Sequence, residues 1–132
     1  MSRLDAWSPQ ILSALRIITA LLFMEHGLMK LFHFPAAQPG LPNPLPTVLV
    51  VGGWLELVGG AVIVLGLFTR PAAFILSGEM AVAYFRFHMP RSFWPGVNLG
   101  EDAILFCFIF LYLVFVGGGA WSLDAVIARR RA

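Results

Sequence analysis

Residues 47–68 read TVLVVGGWLELVGGAVIVLGLF and contain a single charged side chain, that of Glu56. A helix needs about 20 mostly apolar residues to cross the hydrocarbon core of a bilayer. Because the backbone in lipid must satisfy its own hydrogen bonds, we interpret this stretch as a membrane-spanning helix. Similar apolar stretches lie at about 11–34, 71–89 and 98–116. The sequence therefore predicts an all-α, polytopic membrane protein with four transmembrane helices in a bundle.

The composition of the 132-residue chain agrees with this fold class. Hydrophobic residues make up 59% of the chain and charged residues 12%, whereas soluble domains usually carry about a quarter charged residues. Half that complement cannot cover the surface of a small soluble domain, which excludes a soluble enzyme as the leading interpretation. We expect one membrane domain over 1–132, with a short cytoplasmic tail at 120–132. The single cysteine, Cys107, excludes an internal disulfide or dithiol relay.

The basic residues near the ends of the stretches predict the orientation. One side of the membrane would hold Arg3, Arg16, Arg70, Arg129, Arg130 and Arg131, and the other Lys30, Arg86 and Arg91. The excess on the first side predicts that both termini are cytoplasmic. The three terminal arginines are typical of an anchor to anionic lipid headgroups. No basic face with interleaved aromatic residues indicates a nucleic-acid partner.

Ionisable residues within the apolar stretches are costly in a bilayer, which makes them candidates for function. A rise of about 1.5 Å per residue puts one group within about 4 Å of the midplane and another about 10 Å nearer the outside. The first group is Glu25, Glu56 and Glu79, and the second is Lys30, Arg86 and Glu101. The sequence thus predicts a level of carboxylates and, above it, a level of mixed charge.

Helical angles indicate which of these side chains share a face. At about 100° per residue, His26, Lys30 and His33 form one stripe of the first helix, and Glu79, Ala83 and Arg86 form one stripe of the third. Glu56 lies among Gly52, Gly53, Gly59 and Gly60, and small residues of this kind permit close helix approach in membranes. We expect a polar interior that opens outward and is closed below by apolar side chains.

Structural roles compete with this interpretation. Buried ion pairs between the basic and acidic residues would also fix the packing of helices without binding anything. Asn98 followed by Glu101 fits an N-cap with its reciprocal partner three residues on. The imidazoles of His26, His33 and His88 suit a transition metal, but no motif spacing supports such a site and none is predicted.

Several stretches resemble the DoxX family of small bacterial membrane proteins. They are Arg16 with 27–31, then 53–60, 65–70, 79–83, 98–101 and 117–124. The resemblance covers nearly the whole chain apart from the proline-rich segment 35–46, and it implies a four-helix bundle in the bacterial cytoplasmic membrane. Recurring polar positions of the family match Lys30, Glu56, Asn98 and Glu101. The 117–119 stretch lacks the proline often found there, and the missing cysteine pair argues against a thiol-relay mechanism.

Relatives in this family are associated with quinone-coupled thiosulfate oxidation, with oxidoreductase complexes of oxidative-stress defence, and with maturation or metal handling. The resemblance favours a membrane subunit of an oxidoreductase system that handles a quinone or a small sulfur or redox compound in the outward-opening pocket, with quinone as the candidate cofactor and a redox protein as partner. Glu56 and Glu79 are the candidate catalytic residues, exchanging protons during reduction. The candidate substrate-binding residues are Glu25, His26, Lys30, Arg86, Asn98 and Glu101.

Two other function classes fit the same residues. In a proton-coupled transporter or binding protein, the acids would carry protons, and four helices would require a homo-oligomer for alternating access. In a non-catalytic assembly subunit, the charges would only hold the helices together. Whether the chain is itself catalytic stays open at the level of sequence.

Overall fold

The structure is a computed structural model that describes residues 2–132, and every regular element in that range is helical. Helix α1 spans Ser8–Phe32, with Pro9 in its first turn, where the missing amide hydrogen costs nothing. It ends where His33 takes a left-handed conformation at φ +54°. Helix α2 spans Thr47–Leu65 and ends at Gly66, whose φ of +65° suits a residue without a Cβ atom.

The second half of the chain contains three longer helices, besides the short turns Met89–Arg91 and Pro95–Asn98. Helix α3 (Thr69–Ala83) continues as a π-helical segment, Tyr84–His88, and helix α4 spans Glu101–Val116. Helix α5 (Leu123–Arg131) follows the turn at 117–122. The predicted stretches correspond to α1 to α4, with ends that differ by a few residues. A π-helical segment, Leu55–Gly59, also interrupts α2 at its middle.

The start of α4 corrects one prediction. Asn98 does not cap this helix, because Pro95–Asn98 is a separate helical turn and Leu99 then adopts a left-handed conformation at φ +60°. The N-cap is Gly100, which provides no side-chain cap. The capping pair of Asn98 and Glu101 is therefore wrong, since the reversal at Leu99 places Asn98 outside the helix.

The helices pack as two pairs. Helix α1 lies along α2, and α3 lies along α4, whereas contacts between α2 and α3 and between α1 and α4 are few. Aromatic rings join the pairs on one side, with the centroid of Phe23 on α1 lying 4.9 Å from that of Phe110 and 5.3 Å from that of Phe106. The other side, between α2 and α3, is left more open.

Large apolar side chains cover the outside of the molecule. Among the described residues, Asp5–Phe32 and Thr47–Leu65 are the two helices long and apolar enough to cross a membrane by length and composition. Exposed side chains include Ile18 on α1, Val58 on α2, Phe74 on α3 and Phe115 on α4. An apolar exterior of this extent exceeds what a soluble domain usually presents to water.

One end of the molecule is held by a buried arginine. The guanidinium of Arg16 is fully buried and donates hydrogen bonds to the carbonyl oxygens of Ile63, Val64, Gly118 and Trp121. Two of the carbonyl oxygens at the C-terminus of α2, a helix end where such groups lack partners within the helix, thus accept hydrogen bonds from Arg16. Arg16 thus ties α1, the end of α2 and the 117–121 turn together.

Candidate functional site

A buried ion pair joins α1 to α2. The Nζ of Lys30 donates a hydrogen bond of 2.5 Å to Oε1 of Glu56, and these side chains are 12% and 3% exposed. Close helix contact makes the pair possible, because a methyl group on Gly27 would lie 2.7 Å from the carbonyl oxygen of Gly53. The glycine at position 27 therefore lets the two backbones approach and brings Lys30 within reach of Glu56.

Both side chains line a cavity of about 780 Å³ between α1, α2, α3 and the 33–46 segment. Glu79 of α3 lines the same cavity, and its Oε1 lies 3.4 Å from the position that a Cβ atom on Gly52 of α2 would occupy. The two predicted catalytic carboxylates therefore lie at one cavity, at the middle of their helices. Most of the other residues that line the cavity are apolar, so only a few of its lining side chains carry a charge.

Three side-chain oxygens at this cavity are buried and have no hydrogen-bond partner among residues 2–132. They are Oε1 of Gln38, Oε2 of Glu56 and Oε2 of Glu79. An unpaired buried polar group is costly, and nearly all such groups in native proteins have partners. The amide oxygen of Gln38 accepts hydrogen bonds, and so do the two carboxyl groups in their ionised form, so the cavity in that state is suited to a group that donates them.

His26 also lines the cavity, as predicted for the stripe it shares with Lys30. Its Nδ1 donates a hydrogen bond of 2.9 Å to the carbonyl oxygen of Leu22, and its ring meets Phe106 edge to face at 5.7 Å. With Nδ1 engaged in this bond, the second ring nitrogen is the one left for other hydrogen bonds. The imidazole is thus oriented by the backbone of its own helix.

Three other predicted binding residues lie outside the cavity. The side chains of Glu25, Arg86 and Glu101 are exposed and do not line it. The guanidinium of Arg86 lies instead over the ring of Phe87, 5.6 Å from its centroid. The structure therefore does not place Arg86 and Glu101 beside Lys30 at one site.

The π-helical segment Tyr84–His88 explains the position of Arg86. On a continuous α-helix, Arg86 would share a stripe with Glu79 and Ala83, but a π-helical turn holds an extra residue and shifts the following positions around the axis. Phe87 and His88 line the cavity in consequence. Proteins frequently carry π-helical turns at functional sites, and here the one in α2 includes Glu56.

Asn98 is fully buried but serves the connection between α3 and α4. Its Nδ2 donates to the hydroxyl of Tyr84 and the carbonyl of Ser92, and its Oδ1 accepts a hydrogen bond of 2.8 Å from the amide of Gly100. All hydrogen-bonding groups of this amide are thus engaged within the protein. The geometry assigns Asn98 a structural part in holding the loop.

Sequence reasoning missed Gln38, His88 and Arg91 as residues of the cavity wall. Gln38 lies in the proline-rich segment, where no periodicity relates it to a helix face, and the other two follow the π-helical shift. His88 is oriented by Nδ1, which donates to the carbonyl of Asn98 over 3.1 Å. Within the part of the chain that the structure describes, no three His, Cys, Asp or Glu side chains form a metal cluster.

Comparisons with known proteins place the chain in a family. The model of the DoxX family matches residues 11–89. An uncharacterized protein of Haemophilus influenzae is 44% identical, over 94% of this chain and 96% of the relative. Inner membrane protein YqjF of Escherichia coli is 30% identical over 87% of this chain and 90% of its own length. An uncharacterized membrane protein of Mycobacterium tuberculosis is 26% identical over 96% and 87%.

No solved structure matches the chain. The family model nevertheless covers more than half of it, including Lys30, Glu56 and Glu79. The resemblance seen in the sequence is thereby confirmed. The chain belongs to the DoxX family and is an integral membrane protein.

Proposed function

We propose that this chain crosses the bacterial inner membrane four times and has both termini in the cytoplasm. The contacts of Arg16 support this orientation, since they hold the beginning of α1, the end of α2 and the turn after α4 at one end of the molecule. Arg70 and the 129–131 arginines belong to the same end, in agreement with an excess of basic residues on the cytoplasmic side. Relatives from Escherichia coli carry the name inner membrane protein.

We further propose that the chain is a membrane subunit of an oxidoreductase system that handles a quinone or a small sulfur compound in the cavity. The observation that carries this proposal is the buried Lys30–Glu56 pair and Glu79 at one cavity whose lining is mostly apolar. Ionisable groups are retained at such depth where they bind or move charge. Glu79 has no ion-pair partner among the described residues, so packing alone gives no reason for its carboxyl group.

The chemistry of the cavity suits a hydroquinone, the reduced form of a quinone. A hydroquinone has two hydroxyl groups that donate hydrogen bonds, and the unpartnered oxygens of Gln38, Glu56 and Glu79 accept them. Interconversion of the two forms moves two electrons and two protons. In this proposal the electrons pass to or from a redox protein partner, and the carboxylates of Glu56 and Glu79 accept and return the protons. Lys30 holds Glu56 in place.

Substitution of Glu79 by Gln tests this function, because within residues 2–132 Glu79 forms no ion pair whose loss would disturb the fold. We expect hydroquinone oxidation by membranes containing the variant to fall at least tenfold, with an unchanged amount of protein. Glu25→Gln is the matched control, since Glu25 is exposed on α1, and it should retain the wild-type rate. Full activity of Glu79→Gln, or purified protein that binds neither quinone nor hydroquinone, would overturn the proposal.

A further inference from the structure

An apolar groove of about 450 Å³ runs along the outside of the molecule between α2 and α3. Its walls include Val58 and Val62 from α2 and Ala72 from α3. The helices meet most closely at Gly59, where an added Cβ atom would lie 2.7 Å from Cδ2 of Leu76. The groove therefore has a floor at this crossing and faces the surroundings of the protein.

The groove is continuous with the charged cavity. Val51, Leu55 and Ile75 line both spaces, so one passage leads from the apolar groove to the carboxylates. The side chains of Val51, Ile75 and Val82 at this passage are each more than half exposed. Gly78 also lines the cavity, and no atom lies within 4 Å of the place that a Cβ atom on it would take. The passage therefore opens on the apolar outer surface of α2 and α3.

The outer end of the cavity is covered by the proline-rich segment. Gln38, Pro39, Gly40, Leu41 and Pro42 all contribute to the cavity wall on that side. The route between α2 and α3 leads directly from the apolar surface to the carboxylates. In a bilayer that surface meets hydrocarbon chains.

We propose that the cavity takes its ligand sideways from the membrane, and that the ligand is an amphiphile with one hydrocarbon chain. The hydrogen-bond-donating head, a hydroxyl or an ammonium group, lies against Gln38, Glu56 and Glu79, and the chain lies in the α2–α3 groove. The combination of unpartnered side-chain oxygens with a connected apolar groove fits such a molecule. The inference rests on the proposed use of the cavity as a ligand site.

The test uses the full chain in lipid nanodiscs and a decyl hydroquinone with a photoreactive diazirine in its tail. We expect the label on α2 within 51–62 and on α3 within 72–75. Unlabelled decyl hydroquinone, 4-decylphenol and decylamine should compete, and comparison of the three identifies the preferred head. The parent hydroquinone without the decyl chain should compete at least tenfold less well. Equal competition by the parent compound would overturn the proposal.

Variants at Gly78 test the passage itself. Gly78→Phe fills the space beside the cavity and should reduce labelling at least tenfold, whereas Gly78→Ala adds one methyl group in open space and should leave labelling unchanged. Ile75→Trp provides a second obstruction, and thermal unfolding confirms that the variants are folded. Wild-type labelling of both obstructed variants would overturn the inference.

The experiment separates this inference from the proposed redox function. Competition by 4-decylphenol with no effect of Glu79→Gln on hydroquinone oxidation supports the lateral route and overturns the redox function. Hydroquinone oxidation that persists in Gly78→Phe but is lost in Glu79→Gln supports the redox function and overturns the lateral route.

Discussion

The Nε of Arg16 donates a hydrogen bond of 2.7 Å to the carbonyl oxygen of Gly118, which lies 102 residues further along the chain. The same guanidinium satisfies carbonyl oxygens of α2 and of Trp121. One buried side chain therefore connects parts of the protein that lie far apart in sequence. The planar guanidinium offers five N–H donors in a fixed geometry, which a lysine side chain does not provide.

Replacement of Arg16 by Leu should strongly destabilise the protein. The change removes the buried hydrogen bonds to four carbonyl oxygens. The carbonyl of Ile63 keeps a bond from the amide of Gly66, and that of Gly118 keeps one from Ser13. The carbonyls of Val64 and Trp121 lose the guanidinium, and each buried group left without a partner costs about 1 to 3 kcal/mol. We expect the free energy of unfolding to fall by at least about 3 kcal/mol. Thermal unfolding of the purified protein in detergent, followed by circular dichroism, measures the change. Arg16→Lys should recover only part of the loss, because its ammonium cannot reach all the carbonyls.

Arg70 provides the control for this prediction. It also donates to two main-chain carbonyls, those of Val114 and Phe115, but it is exposed. Water can replace these contacts, so Arg70→Leu should lower the free energy of unfolding by only about 1 kcal/mol. An equal loss for both variants would contradict the structural importance assigned to burial of Arg16.

The ion pair of Lys30 with Glu56 predicts a strongly non-additive pair of substitutions. Lys30→Met leaves Glu56 buried without its cation, which should cost about 3 to 5 kcal/mol. In the double variant Lys30→Met with Glu56→Leu, neither charge of the pair is left, and stability should return to near that of the wild type. Unfolding of the wild type, both single variants and the double variant gives the coupling free energy. Additive losses would mean that the pair does not form.

The apolar stretches predicted the helices because hydrophobic runs and proline or glycine at their ends act locally. The same reasoning found Glu56, Glu79, His26 and Lys30, since α-helical spacing relates the two residues on α1 to one face. The same reasoning placed Arg86 wrongly, because no local sequence pattern predicts the π-helical turn at Tyr84–His88.

Hydrophobic periodicity could not predict the roles of residues whose contacts lie far away in the sequence. Gln38 comes to the cavity through the path of a segment without repeating structure. Arg16 counted in the sequence as one of several basic residues at an end, but its role depends on Gly118 and Trp121. Pairing between separate helices, rather than helix formation itself, is what the sequence of one chain leaves unspecified.

Gly27 should tolerate no side chain. A Cβ atom there would lie 2.7 Å from the carbonyl oxygen of Gly53 and 2.9 Å from the amide nitrogen of Leu57, and both are backbone atoms that cannot turn aside. Forced separation of α1 and α2 should cost about 1 to 3 kcal/mol in Gly27→Ala. It should also lengthen the Lys30–Glu56 contact, which weakens ligand binding at the cavity. The matched control is Gly78→Ala, where a Cβ meets no atom within 4 Å and stability should not fall.

Asn98→Ala should destabilise the loop between α3 and α4 rather than abolish binding directly. The change removes the contacts of this buried amide with Tyr84, Ser92 and Gly100, and the unpaired groups cost about 1 to 3 kcal/mol. Hydrogen exchange should therefore increase in 84–100, while α1 and α2 keep their protection. Glu101→Gln is the comparison, because Glu101 is exposed, and it should leave exchange unchanged. Normal exchange in Asn98→Ala together with lost binding of decyl hydroquinone would instead assign Asn98 to the ligand site.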